Sequence, residues 1–129
     1  MKQSLHAVTL VVPDYDAAIA FYTETLSFTL EQDIDLGGGK RWVRVVPPGS
    51  NGASLLLAKA VGPDQNAAIG NQTGGRVGFF LQTDDFQRDH TAMRASGVHF
   101  EEDSRTEPYG IVAVWQDPFG NRWDLIQFT

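Results

Sequence analysis

Residues 11–28 read VVPDYDAAIAFYTETLSF, and this stretch decides the fold. The apolar, β-branched run that leads into it, residues 5–12, is the expected first strand, and Pro13 and Asp14 stop it. Asp14 then suits the N-cap of a helix, where its carboxylate can accept from the free N–H groups of the first turn. Tyr15, Ala18, Ile19, Tyr22 and Leu26 recur at helical spacing and form one apolar face. Beyond the helix, FTLEQDI continues as a second strand, and residues 37–39, all glycine, make a loop. RWVRVV is a third strand, PPGSNG a turn and ASLLLAKA a fourth strand.

The order strand, helix, three strands then occurs again. RVGFFLQ, residues 76–82, is the second opening strand, and Asp84 and Asp85 cap a helix over DFQRDHTAMRAS. Phe86, His90 and Met93 take the places of Tyr15, Ile19 and Tyr22, and Gly97 ends the helix. VHFEE, IVAVWQ and NRWDLIQF are the remaining strands, with DPFG as the turn between the last two. Asp14 and Asp85 stand 71 positions apart, and Phe28 and Val98 stand 70 apart. A repeat at so constant an offset points to a duplicated module. The boundaries follow: one domain over 1–129, with module 1 at about 1–61, a linker at 62–75 and module 2 at 76–129. A short helix is expected within the linker, around residues 64–69.

Composition narrows the function classes. Hydrophobic residues at 42% and charged residues at 20% are those of a chain that buries a core. No apolar run nears the roughly 20 residues of a membrane span, and the N-terminal stretch does not read as a signal peptide. A cytoplasmic location without membrane partners is expected. Cysteine is absent, which removes disulfides, thiolate metal sites and Cys nucleophiles. A net charge of −6 argues against a nucleic-acid partner, which needs a basic face. No Ser–His–Asp order, phosphate-cradling glycine loop or HExxH is present.

VVPDYDAAIAFYTETLSF resembles the first strand and helix of the vicinal oxygen chelate (VOC) superfamily, which includes glyoxalases, bleomycin-resistance proteins and extradiol dioxygenases. DPFGNRWDLIQ resembles that superfamily's closing hairpin. The resemblance spans essentially the whole chain. It implies an α+β fold: two βαβββ modules forming an open, U-shaped, eight-stranded mixed sheet, with helices on its convex face. It also implies four metal-ligand positions, which fall on Ala7, on Leu56 or Ser54, on Gly78 and on Asp124. Only Asp124 can coordinate strongly, and it is one methylene shorter than the family's glutamate. The expectation is therefore no metal and no cofactor. His6 has the strand parity of Val8, Leu10 and Val12, which should pack on helices, whereas Ala7, Thr9 and Val11 face the cavity. A one-residue slip of register would bring in His6 and Asp124 as ligands of a divalent metal, the fallback reading.

The other candidates are polar and aromatic. Arg122 shares a face with Asp124 and is its expected ion-pair partner. Phe80 and Gln82 share the face of Gly78, whose missing side chain leaves space for a ligand. Trp42 and Arg44 lie on one strand face, a pairing that can stack and orient a planar molecule. Glu107 is a candidate general base beside Asp124, and Tyr109 a hydrogen-bond donor. His99 alternates with Val98 and Phe100 and points to the pocket or to solvent. His90 is expected to be packed. The function expected is small-molecule binding without metal, in a homodimer. The alternative is a glyoxalase-like lyase or isomerase, metal-free or with a weak, displaced metal.

Overall fold

The computed structural model describes all 129 residues and resolves into two compact units, Met1–Ile69 and Gly70–Thr129. In the first unit, β1 (Ala7–Val12) leads into α1 (Tyr15–Ala20). The strands β2 (Thr29–Gly37), β3 (Lys40–Val46) and β4 (Ser54–Lys59) follow, and α2 (Gly62–Ala68) closes the unit. The strands form a mixed sheet in the order β1-β4-β3-β2, with only β1 and β4 parallel. In the second unit, β5 (Phe79–Gln82) and α3 (Phe86–Ala95) come first. After them come β6 (His99–Phe100), β7 (Arg105–Glu107), β8 (Gly110–Gln116) and β9 (Arg122–Phe128). This sheet runs β5-β9-β8-β6, with β7 also paired to β8 and only β5 and β9 parallel.

The duplication is visible down to single hydrogen bonds. Asp14 accepts from Ala17 N–H at 2.8 Å, and Asp85 accepts from Arg88 N–H at 3.1 Å, each three residues on. Both are N-caps with extended backbone, as the sequence indicates. Leu10, Val12, Val43, Val45 and Leu57 pack under Tyr15, Ala18 and Tyr22 of the first helix and are all buried. In the second unit Trp115 and Trp123, cross-strand neighbours, stack at 5.0 Å between ring centroids. His90 stacks on Phe86 at 5.1 Å and meets Phe100 edge-on at 4.5 Å. It is a packed histidine, and burial lowers its pKa.

Four details depart from the sequence expectation. The first helix ends in a π-helical turn over Phe21–Thr25, in which Leu26 N–H reaches back to Phe21 C=O. There the Thr23 hydroxyl donates to Ile19 C=O at 2.7 Å, and Ser27 takes a positive φ of 62° to let the chain leave. The opening strand of the second unit is only four residues long. VHFEE is not one strand: it shrinks to β6, and a separate strand, β7, makes nine in all. The reason is that Glu102 Oε1 accepts from Val114 N–H at 3.3 Å and takes a backbone partner's place in the ladder. The linker helix is present, two residues earlier at its start than expected.

DPFGN is the most heavily bonded turn of the second unit. Asp117 Oδ1 accepts from Phe119 and Asn121 N–H, both at 2.9 Å. The Asn121 side chain donates to Asp117 Oδ2 at 2.7 Å and accepts from Gly70 N–H at 3.1 Å, and both side chains are buried. Replacing Asn121 by Ala would remove a donor to a buried carboxylate and the side-chain acceptor of the Gly70 N–H. We expect N121A to lower unfolding free energy by about 3 kcal/mol, measured by urea denaturation at neutral pH.

Candidate functional site

Strand alternation gives each sheet a helix-packed face and an open face. On the first sheet, Ala7, Ser54, Leu56, Arg44, Trp42 and Gln32 share the open side through the registers Ala7↔Ser54, Arg44↔Leu56 and Gln32↔Arg44. Trp42 and Arg44 are brought together as expected, and their link is Gln32. Its Oε1 accepts from Trp42 Nε1 at 2.9 Å and from Arg44 Nε at 2.7 Å. Arg44 Nη1 donates to Ser54 Oγ at 3.0 Å, and that hydroxyl donates to His6 C=O at 3.0 Å. On the opposite face Arg41 bridges the helix and the sheet, pairing with Asp16 at 2.9 Å and Asp33 at 2.7 Å.

The second sheet gathers every other candidate on strands onto one face. The registers Phe80↔Asp124, Gln82↔Ile126, Gln116↔Arg122, His99↔Gln116 and Glu107↔Gly110 carry the alternation across all five strands. Phe80 is 66% exposed beside Asp124, and Tyr109 lies 6.5 Å from Phe128 between ring centroids. His99 and Gln82 are exposed.

Asp124 does not pair with Arg122. The Arg122 guanidinium grips Glu101 through two bonds of 2.8 Å and donates to Gly75 C=O at 2.9 Å. Glu101 is held below the usual carboxylate range by this contact. Arg105 is likewise held between Glu102 at 3.0 Å and Glu107 at 2.9 Å, so the Glu107 carboxylate is engaged in an ion pair. Asp124 Oδ1 is shielded from solvent and has no hydrogen-bond partner. Burial pushes its carboxyl above the ordinary aspartate value; Arg105 and Arg122 oppose the shift, and Glu102 adds to it. Gly78 leaves no void, because a Cβ there would lie 2.9 Å from the Thr73 methyl group.

The fold has counterparts among known proteins. The family model for the Glyoxalase/Bleomycin resistance protein/Dioxygenase superfamily matches residues 4–125. This chain belongs to that superfamily. An uncharacterized protein of Shewanella frigidimarina is 53% identical over 130 residues, covering 100% of this chain and 96% of its own. Among solved structures, UcmS2 superposes with a TM-score of 0.84 at 29% identity, covering 98% of both chains. TnmS3, an antibiotic binding protein from Streptomyces sp. CB03234, superposes with a TM-score of 0.80 at 30% identity, covering 99% of this chain and 98% of its own.

The superfamily's metal-ligand positions do not fit an ion here. The side chains of Ala7 and Gly78 offer no donor atom. Ser54 Oγ is already bonded to His6 C=O and to a guanidinium, whose charge repels a cation. Asp124 alone offers an open oxygen. No three His, Asp or Glu side chains cluster in a way that could hold a metal. His6 precedes β1 with an exposed side chain, and the Ala7↔Ser54 register leaves Ala7 on the open side.

Sequence reasoning missed Gln32, Glu101, Glu102 and Arg105. Gln32 sits beside a register shift between Leu30 and Gln32, which strict alternation cannot anticipate. The pairing of Arg122 with Glu101 needs the tertiary path of residues 101–104.

The Asp124 shift has a sign that can be checked. A carboxyl whose folded pKa is raised binds more protons folded than unfolded, so stability falls as pH rises from the ordinary aspartate value through the raised one. We expect D124N to melt above wild type at pH 7. That advantage should vanish as pH falls below the ordinary aspartate value, as read from melting curves across pH.

Proposed function

We propose that this protein binds a small organic molecule against the open side of its sheet framework and does so without a divalent ion. The observation that carries the reading is Asp124: an unsatisfied, desolvated carboxyl beside an exposed aromatic ring, Phe80. A buried polar atom without a partner is costly unless something supplies one, and a ligand amine, hydroxyl or carbonyl can do so. Phe80, Tyr109 and Phe128 add exposed aromatic surface of the kind that grips planar ligands. The likeness to an antibiotic binding protein supports a drug or metabolite as the occupant. Gln82, His99 and Arg122, on the same sheet as Asp124, are further contact residues in this reading, and Trp42 and Arg44 are candidate contact residues of the first sheet by itself.

A second reading has one observation in its favour. A carboxyl whose pKa is raised by burial suits proton transfer, so Asp124, with Glu107, is the candidate acid–base group of a metal-free lyase or isomerase. Turnover of the methylglyoxal–glutathione hemithioacetal, lost in D124A, would establish this reading and displace the first.

We also propose a cytoplasmic homodimer. No helix is long and apolar enough to cross a membrane. The edge strand β2 exposes Leu30, Ile34 and Leu36, a surface that a second copy would cover. Light scattering is expected to give twice the chain mass; a monomer at all concentrations would overturn the dimer.

Elemental analysis of purified protein tests metal independence. We expect substoichiometric metal, and a melting temperature moved by less than about 1 °C by chelator, Ni²⁺, Zn²⁺ or Mn²⁺. Stoichiometric metal with a chelator-induced drop would overturn the reading. In a thermal-shift screen of aromatic antibiotics, F80A is expected to weaken any hit about tenfold.

A further inference from the structure

The arginines of this chain divide into neutralised and free. Arg41, Arg88, Arg105 and Arg122 each touch at least one carboxylate within 3.0 Å. Arg76 and Arg94 are exposed. Arg44 is half-buried in the middle of β3, and its hydrogen bonds go only to a neutral amide and a neutral hydroxyl. In a chain with 16 acidic and 10 basic side chains, a half-buried guanidinium without a carboxylate stands apart.

The local backbone accounts for it. β2 and β3 pair Leu30 with Val45 and then, across a register shift, Gln32 with Arg44. Without that irregularity, Glu31 would stand opposite Arg44 and neutralise it. The bulge puts a neutral side chain there and leaves Glu31 exposed.

The hydrogen bonds around Arg44 all run one way. Ser54 gives its proton to His6 C=O and accepts from Arg44. Gln32 turns its carbonyl toward Trp42 and Arg44, so its amide N–H groups point away from them. The acceptors are engaged within the network, and the groups left over are donors. A guanidinium has five N–H groups, and two of them are used here. Beside these donors, Trp42 is fixed in orientation by its own bond to Gln32.

We infer that the open face of the first sheet is a carboxylate-recognition subsite for an aromatic ligand. Arg44 pairs with the carboxylate through its unused N–H groups, and Trp42 lies against the ring. This inference rests on the small-molecule reading above and names the charge its ligand carries.

The test compares 2-naphthoate with the neutral 2-naphthamide, titrated into the full chain. Binding is followed through the Trp42 indole N–H resonance, identified by its loss in W42F. The acid is expected to bind about tenfold more tightly than the amide and to move the Trp42 signal. R44Q is expected to bring the acid down to the affinity of the amide, and R44K to fall between, keeping charge but losing the planar fork. Equal affinity for acid and amide, or an R44Q protein that still prefers the acid, would overturn the subsite and leave the small-molecule reading standing. Acid binding that leaves the Trp42 signal unmoved would do the same. If neither probe binds at millimolar concentration, the subsite falls, and the small-molecule reading is then decided by the antibiotic screen. Should R44Q fail to fold, the acid–amide ratio in wild type and the R44K value still decide.

Discussion

Parallel pairing of the opening and closing strands of each module is the constraint on which the rest depends. Ala7↔Ser54 to Val12↔Lys59 in one unit and Phe79↔Trp123 to Gln82↔Ile126 in the other fix the parity of every neighbouring strand. A shift of one residue in either ladder would turn Leu10, Val12 and Leu57, or Trp123 and Leu125, out of the core. At about 1.5–3 kcal/mol for each large apolar side chain, that cost locks the register. The open faces inherit their residues from the same lock: Asp124 and Arg44 are where they are because Leu125 and Val43 must be inside.

This explains what could be read in the sequence. The caps Asp14 and Asp85, the helices behind them and the repeat offset are local signals, set by spacing within a few residues. Face assignment on β1, β3, β5 and β9 followed from alternation and needed only the buried set to anchor it. Irregularities were illegible. The β2 bulge and the Glu102 carboxylate replacing a backbone partner each depend on a contact with a distant segment. The expected Asp124–Arg122 pair failed for the same reason. Both lie on one face, but Glu101, just past the end of β6, engages Arg122 Nε and Nη2 in one bidentate contact.

The polar groups on the second sheet's open face follow from that competition. Three glutamates and two arginines satisfy one another there, and the acid left over, Asp124, has one oxygen shielded from water. Its carboxyl is raised because desolvation outweighs the attraction of guanidinium groups that are already neutralised by other partners. An aspartate freed from its neighbours in this way costs stability in its charged form. It persists at a position that packing would fill more cheaply with an apolar residue such as Val114 opposite it. In the proposed reading, a donor on the bound molecule offsets that cost.

The first sheet reaches the complementary state by a different route. There a backbone irregularity, and not competition between ion pairs, withholds the acid that would have closed the network. The bulge occurs in an edge strand, where one extra residue disturbs a single ladder only, so the substitution of Gln32 for Glu31 costs little in backbone pairing. An irregularity in β3 or β4, each paired on both sides, would have disturbed two ladders. Opposite that edge the guanidinium is left uncompensated at the cost of a single ladder.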